Sequence, residues 1–240
     1  GSRTEVETDL TISVNCVDEM VEDSLKAVKQ GFRILKIKVG KEGVKDIRRI
    51  REIRAAVGPE IRLRIDANQG WTAKEAVRII RAMEDSGIEM DLVEQPVNAH
   101  DFDGMKFVTA NVATPVLADE SVFSPEDAVR IIQNRAADLI NIKLMKTGGF
   151  YNAMTIASIA KTFGAECMMG CMLEGNIAVT AAAHAALARG VITRIDLDGP
   201  ALCRENPVVG GAVFADSKIT VPDAPGLGIE RVEGLIPLNI

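Results

Sequence analysis

Eight short apolar runs, spaced by roughly one strand-plus-helix unit, constrain this chain more than any other feature of its sequence. They are LTISV from Leu10, ILKIKV from Ile34, IRLRIDA from Ile61, DLVEQP from Asp91, PVLAD from Pro115, DLINIK from Asp138, AECMMG from Ala165 and ITRIDLD from Ile192. Their starts lie roughly 22 to 30 residues apart, which is the length of one βα repeat. The stretches between them carry helix signals. DEMVEDSLKAVKQG opens at Asp18 as an N-cap and stops at Gly31 as a C-cap. Thr72–Glu75 reads TAKE, a capping box, and Ser124–Asp127 reads SPED, which puts proline at the first helical position. Val44, Ile47, Ile50, Ile53 and Val57 recur at helical spacing and predict one buried stripe.

An open sheet of eight parallel strands needs a switch point and usually a Gly-rich phosphate turn, and no G-x-G-x-x-G follows the first strand. A closed α/β barrel of (β/α)7β form, over residues 8–198, is therefore the expected fold. Residues 1–7, which begin GSR without a methionine, read as a cloning leader. Residues 199–240 turn Pro/Gly-rich and form a tail of another character.

A chain of 240 residues, 47% hydrophobic and 26% charged, can bury a large core. The net charge of −6 and the lack of a basic block argue against a nucleic-acid surface. No apolar run approaches the roughly 18 residues of a membrane span and no signal peptide opens the chain, so a cytoplasmic protein acting on small molecules is expected. Cys16, Cys167, Cys171 and Cys203 form no C-x-x-C pair and read as free thiols.

Charged residues fall repeatedly at the C-terminal ends of the strands, the barrel face on which active sites are built. Asp66, Glu94 and Asp119 end three successive strands and aim three hard oxygen ligands at one point, a donor set that suits Mg²⁺. Lys36 and Lys38 share one face of their strand because strand side chains alternate. In a barrel that face is the interior, where the like charge of Lys36 is expected to lower the pKa of Lys38 and make it a base. Lys143 ends the strand after the acidic trio, so the two amines lie on opposite sides of the cation. A carboxylate bound there has an acidified α-proton, and one lysine removing it while the other returns it inverts the stereocentre. Asn68 and Glu120 read as hydrogen-bonding support for the ligands or for Lys143.

LKIKVG, RIDANQGW, LVEQPV, LADES and NIKLMKTGG together resemble the enolase superfamily, in its muconate-lactonizing subgroup with the K-x-K strand. The resemblance runs in order from about Thr8 to Asp198. It implies Lys38 and Lys143 as the acid/base pair and Asp66, Glu94 and Asp119 as Mg²⁺ ligands. His100 and His184 fall in a loop and on an alanine-rich helix, which argues against the mandelate racemase-like branch. Asp196 and Asp198 form a D-x-D that is similar to the signature of dipeptide epimerases of the L-Ala-D/L-Glu type, where it binds the substrate ammonium. The alternative for the pair is a capped turn before Gly199 and Pro200. MMGCMLEGN, from Met168, matches the loop that contacts the dipeptide, and backbone N–H groups at Cys171 and Met172 are expected to bind its terminal carboxylate. An apolar loop with structural thiols is the alternative there.

The resemblance implies an N-terminal capping domain in complete members; with the first barrel strand near residue 10, that domain is expected to be absent here, and the tail is expected to be the part that would pack on it. Three readings stay open: a dipeptide epimerase barrel slowed by exposure to water, an excised or engineered scaffold with little turnover, or a cycloisomerase or o-succinylbenzoate synthase-like enzyme on the same residues. Homo-oligomerisation is left open.

Overall fold

The computed structural model describes residues 3–236. The first two residues of the expected leader and the last four of the expected tail lie outside them.

Eight parallel strands run in chain order without a crossover: β2 (Leu10–Ile12), β3 (Ile34–Lys38), β4 (Arg62–Asp66), β5 (Leu92–Glu94), β6 (Val116–Ala118), β7 (Leu139–Lys143), β8 (Glu166–Gly170) and β9 (Ile192–Asp196). They are preceded by a short strand, β1 (Glu5–Glu7). Helices α1 (Val17–Lys29), α2 (Lys45–Val57), α3 (Ala73–Asp85), α4 (Phe102–Asn111) and α5 (Pro125–Gln133) follow β2 to β6. The one-turn α6 (Leu144–Thr147) and α7 (Phe150–Phe163) follow β7, α8 (Asn176–Ala188) follows β8, and the short α9 (Gly199–Leu202) follows β9. This is the expected (β/α)7β barrel.

Helix ends follow the chemistry of their residues. Thr72 and Glu75 form the capping box reciprocally, and Ser124 with Asp127 forms a second one ahead of Pro125. Asp18 is not the cap of α1: the N-cap is Cys16, and Asp18 sits in the first turn, where its charge complements the helix dipole. On α2 the stripe is fully buried at Ile50 and Ile53, whereas Val44 is the exposed N-cap residue.

Alternation decides which side chains enter the barrel. Leu35 and Ile37 pack outward under the helices and are fully buried, so Lys36 is driven into the interior. Register aligns the mouth: Lys38 pairs with Asp66 and Asp66 with Glu94, while Lys143 pairs with Gly170 and Gly170 with Asp196. A Cβ on Gly170 would stand 2.5 Å from Asn141 Oδ1, so only glycine lets that side chain into the interior. Below the charges, Leu92, Leu117, Leu139 and Met168 fill the floor.

No ladder joins β9 to β2. The seam is closed by Asp9 N–H to Ile195 O at 3.4 Å, Leu197 N–H to Thr8 Oγ1 at 2.8 Å and Thr11 N–H to Asp198 Oδ2 at 2.7 Å. The buried Arg64 reaches across it, donating to Asp9 Oδ2 at 2.8 Å, Ile195 O at 2.7 Å and Asp91 Oδ2 at 2.8 Å.

Residues 1–7, read from sequence as a leader, contain β1. It pairs antiparallel with β12 (Lys218–Thr220), which also pairs with β11 (Val213–Ala215). Val6 turns inward between two glutamates and Ile219 is fully buried, the period-two pattern of a half-buried strand. The other tail strands, β10 (Val208–Gly210) and β13 (Ile229–Val232), pair with each other. Ala212 N–H donates to Thr180 Oγ1 at 2.9 Å, which ties the tail to α8. Among the described residues no helix is long and apolar enough to cross a membrane.

Arg64→Met removes the counter-ion of the fully buried Asp9, whereas Asp91 retains Arg194 at 3.4 Å. Breaking such a buried pair costs about 3–5 kcal/mol. Denaturant unfolding of the variant is expected to show that loss, and a loss under about 1 kcal/mol would contradict it.

Candidate active site

Four lysines and four carboxylates interlock at the C-terminal mouth. Lys36 Nζ stands 2.7 Å from Asp196 Oδ2, 2.9 Å from Glu94 Oε2 and 3.1 Å from Asp66 Oδ2. Lys38 Nζ, the most exposed of the four, donates to Asp66 Oδ2 at 2.8 Å and Asn68 Oδ1 at 2.7 Å. Across the mouth Lys143 Nζ donates to Asp119 Oδ2 at 2.7 Å. Lys146 Nζ lies 2.5 Å from Asp119 Oδ1 and donates to the carbonyl oxygens of Asp119 and Asn141. In barrel order β3 bears Lys38, β4 to β6 lead to the acidic trio, and β7 bears Lys143. The two lysines therefore flank the carboxylates.

Burial works against the charge of Lys36, but Asp196, Glu94 and Asp66 hold it protonated well above the ordinary lysine range. Lys143 is likewise raised, mainly by Asp119 once its burial is overcome. Burial opposes ionisation of Asp66 and Asp119 too, yet Lys36 and Lys38 lower the first, and Lys146 and Lys143 lower the second. Glu94 goes the other way: burial, then repulsion by Asp66 and Asp119, push it up to about 8. Asp9 and Asp198 are also raised, each by burial first and then by Asp196. Positive charge is thus short at two places, beside Glu94 and along the seam.

The trio fits a hard divalent cation. Its members come from three adjacent staves, are almost wholly buried, and supply only oxygen. Glu94 Oε2 and Asp119 Oδ1 meet ammonium groups without an aligned hydrogen bond, so each retains coordinating capacity. Their oxygens are not drawn into one tight cluster: Lys36 holds Asp66 and Glu94, Lys38 also holds Asp66, and Lys143 and Lys146 hold Asp119 on the other side. The described acidic residues that bring one oxygen each within 4.8 Å of one another are instead Asp9, Asp196 and Asp198. In that group Arg64, Lys36 and the Thr11 N–H already take one oxygen from each carboxylate. The strand-end trio is therefore the better divalent site.

A cavity of about 510 Å³ opens over these groups. Lys36, Lys38, Asp119, Lys143, Asp196 and Asp198 line its polar side, and Met172, Leu173 and Leu202 its apolar rim. Asp66 and Glu94 lie beneath it. Every residue expected from the sequence is therefore in or under one cavity, although two contacts differ. Glu120 accepts from Asn68 Nδ2 at 3.2 Å and, among the described residues, bonds neither an expected ligand nor Lys143; of the two only Asn68 supports Asp66, through its N–H at 2.9 Å to Oδ1. The N–H groups of Cys171 and Met172 are not at a helix start. Cys171 N–H is spent on Asp196 O at 2.9 Å, Met172 N–H on Glu174, and α8 begins only at Asn176.

Sequence reasoning missed Asp9, Arg64, Gln95, Asn141 and Lys146. Arg64 and Asn141 stand two residues before Asp66 and Lys143, so alternation already placed them on the interior face. Gln95, at φ 35°, accepts the N–H of Asp119 at 2.9 Å and so sets the start of that loop. Lys146 follows Lys143 by one short helical turn.

A family model described as enolase C-terminal domain-like matches residues 19–234. The L-Ala-D/L-Glu epimerase of Clostridium acetobutylicum is 58% identical over 232 residues, which span 97% of this chain and 65% of that protein. The L-Ala-D/L-Glu epimerase of Bacillus subtilis, in a substrate-liganded structure, superposes with a TM-score of 0.94 at 51% identity, covering 95% of this chain and 64% of that one. The dipeptide epimerase of Enterococcus faecalis complexed with Mg and the dipeptide L-Leu-L-Tyr gives a TM-score of 0.92 at 45% identity, covering 96% and 65%. The chain spans just under two thirds of the length of these relatives. It belongs to the enolase C-terminal domain-like family.

Proposed function

We propose that this chain carries the acid/base chemistry of a Mg²⁺-dependent dipeptide epimerase. The observation that carries the reading is the order Lys38, Asp66, Glu94, Asp119, Lys143 around one barrel mouth, with two lysines flanking three buried carboxylates. Relatives named as dipeptide epimerases share this barrel at 45–58% identity. Asp66, Glu94 and Asp119 would hold Mg²⁺, which as a Lewis acid acidifies the α-proton of a bound carboxylate.

Lys38 Nζ and Lys143 Nζ, facing each other over the cavity, take a proton from one face of the α-carbon and deliver one to the other. Lys36 remains a cation throughout, because three carboxylates surround it; it keeps positive charge beneath the reacting carbon and steadies Asp66 and Asp196. Asn68 fixes the direction of Lys38 through its side-chain oxygen. Asp196 and Asp198 receive the substrate ammonium. Two buried carboxylates would be a liability for a cycloisomerase or an o-succinylbenzoate synthase, whose substrates carry no ammonium. Met172, Leu173 and Leu202 give the dipeptide an apolar wall.

Epimerisation of L-Ala-L-Glu, followed by chiral separation with Mg²⁺ present, tests the reading. Lys38→Ala and Lys143→Ala are each expected to lower the rate by about 10²-fold or more, the usual contribution of a positioned acid or base. Retention of the full rate by either variant would exclude it.

Glu94 predicts a pH signature in the cation-free protein. Its folded value of about 8 lies above the ordinary 4.5, so the folded state holds the proton more tightly. Its contribution to stability is full below about 4.5 and is lost as pH rises through about 8. Glu94→Gln should flatten the decline of unfolding free energy across that window, and an unchanged slope would count against the assigned environment.

A further inference from the structure

Glu120 lines the cavity beside Asp119, yet the chemistry above gives it nothing to do. Its Oε1 accepts from Asn68 Nδ2 at 3.2 Å, and its buried Oε2 has no hydrogen-bond partner among the described residues. Asn68 Oδ1 in turn accepts from Lys38 Nζ at 2.7 Å. Two hydrogen bonds thus lead from the loop after β6, through the loop after β4, to the lysine that ends β3. The backbone of the middle link is fixed. Asn68 has φ 42°, a left-handed conformation that asparagine tolerates, and Asp66 Oδ1 holds its N–H at 2.9 Å. What remains free is the turning of its amide. The two ends of an amide are alike in size, so their partners decide which end faces which way. An ionised carboxylate only accepts, so Glu120 faces the Nδ2 end and leaves the oxygen end to Lys38.

We propose that Glu120 is a positioning residue for Lys38: by fixing the amide of Asn68, it keeps the lone pair of Lys38 free to take the α-proton. The inference rests on the epimerase reading and deepens it. A lysine acting as base is an amine with two N–H donors and one lone pair. Asp66 Oδ2 at 2.8 Å and Asn68 Oδ1 at 2.7 Å accept those two donors, which leaves the lone pair for the cavity that Lys38 lines. With the amide turned round, Nδ2–H would donate to that lone pair and block the base. A lysine that gives a proton has no lone pair to block, so Glu120 acts only on the step in which Lys38 takes one. Lys143 bonds Asp119 across the mouth, away from Asn68. The effect of Glu120 is therefore confined to one face of the α-carbon.

The test is α-carbon deuterium incorporation in D₂O with Mg²⁺, from L-Ala-L-Glu and L-Ala-D-Glu separately, in the unsubstituted protein and in Glu120→Gln. Lys38→Ala identifies the epimer that Lys38 serves as the one whose exchange is lost. Glutamine has the shape of glutamate but donates as well as accepts, so it lets the Asn68 amide turn. Glu120→Gln is expected to lower exchange from the epimer that Lys38 serves about tenfold, the equilibrium weight of one hydrogen bond, and to leave the other within about twofold. Should that variant not fold, Glu120→Ala carries the same one-sided expectation. In an Asn68→Ala background, Glu120→Gln should cause no further loss, because the link through which it acts is gone. Equal loss from both epimers, loss from neither, loss confined to the other epimer, or a further loss in the Asn68→Ala background would each overturn the proposal. If the unsubstituted protein exchanges neither epimer, the epimerase reading itself falls; if it exchanges both and Glu120→Gln has no one-sided effect, only the role of Glu120 falls.

Discussion

Lys36 is the interaction on which the mouth of this barrel depends. A barrel interior is normally filled by branched apolar side chains, and this one is so filled only at its floor. Above the floor, one ammonium touches Asp66, Glu94 and Asp196, which come from three different strands. Desolvating that many charges is costly, and only mutual pairing makes it tolerable. The network extends through Arg64 to Asp9 on one side and through Asn141 Nδ2, which donates to Glu94 Oε1 at 2.7 Å, towards Asp119 and its two lysines on the other. Such an arrangement adds little to stability that hydrocarbon could not supply. It fixes the direction of each carboxylate, and those directions are what proton transfer requires.

The same network explains why the lysines and carboxylates of the mouth pair with one another. Asp66 and Asp119 are held ionised by lysines, whereas Glu94 is driven towards its neutral form by two neighbouring acids. Along the seam, the charge on Asp196 is answered by Lys36, but those on Asp9 and Asp198 are incompletely answered. A divalent cation at the trio and an ammonium at the seam are the two additions that would satisfy both deficits. Cys171 donates its S–H to Asp198 Oδ1 at 4.0 Å, and burial raises its thiol and that of Cys167 out of the reactive range.

Most of the barrel was legible because it is written in two periods. Strands alternate and helices carry stripes and caps, so Ile34–Lys38 and Thr72–Glu75 adopt the predicted forms. The residues ending strands were equally legible, since a carboxylate or lysine there has no apolar role. What escaped was tertiary. Glu5–Glu7 is too short to declare itself and becomes a strand only because Lys218–Thr220 lies beside it. Asp9 precedes its strand and gains meaning only when the last strand closes on the first. The N–H groups of Cys171 and Met172 were expected at a helix start, but the chain reaches α8 only after a further turn.

The central claim is that two lysines act on opposite faces of one carbon. Its most direct measurement is α-carbon deuterium incorporation in D₂O, starting separately from L-Ala-L-Glu and L-Ala-D-Glu, in Lys38→Ala and Lys143→Ala. The opposed arrangement predicts that each variant loses exchange from one epimer and keeps it from the other, with the sense reversed between the two. Loss of exchange from both epimers in one variant, with both retained in the other, would show that a single base serves both faces and would contradict it.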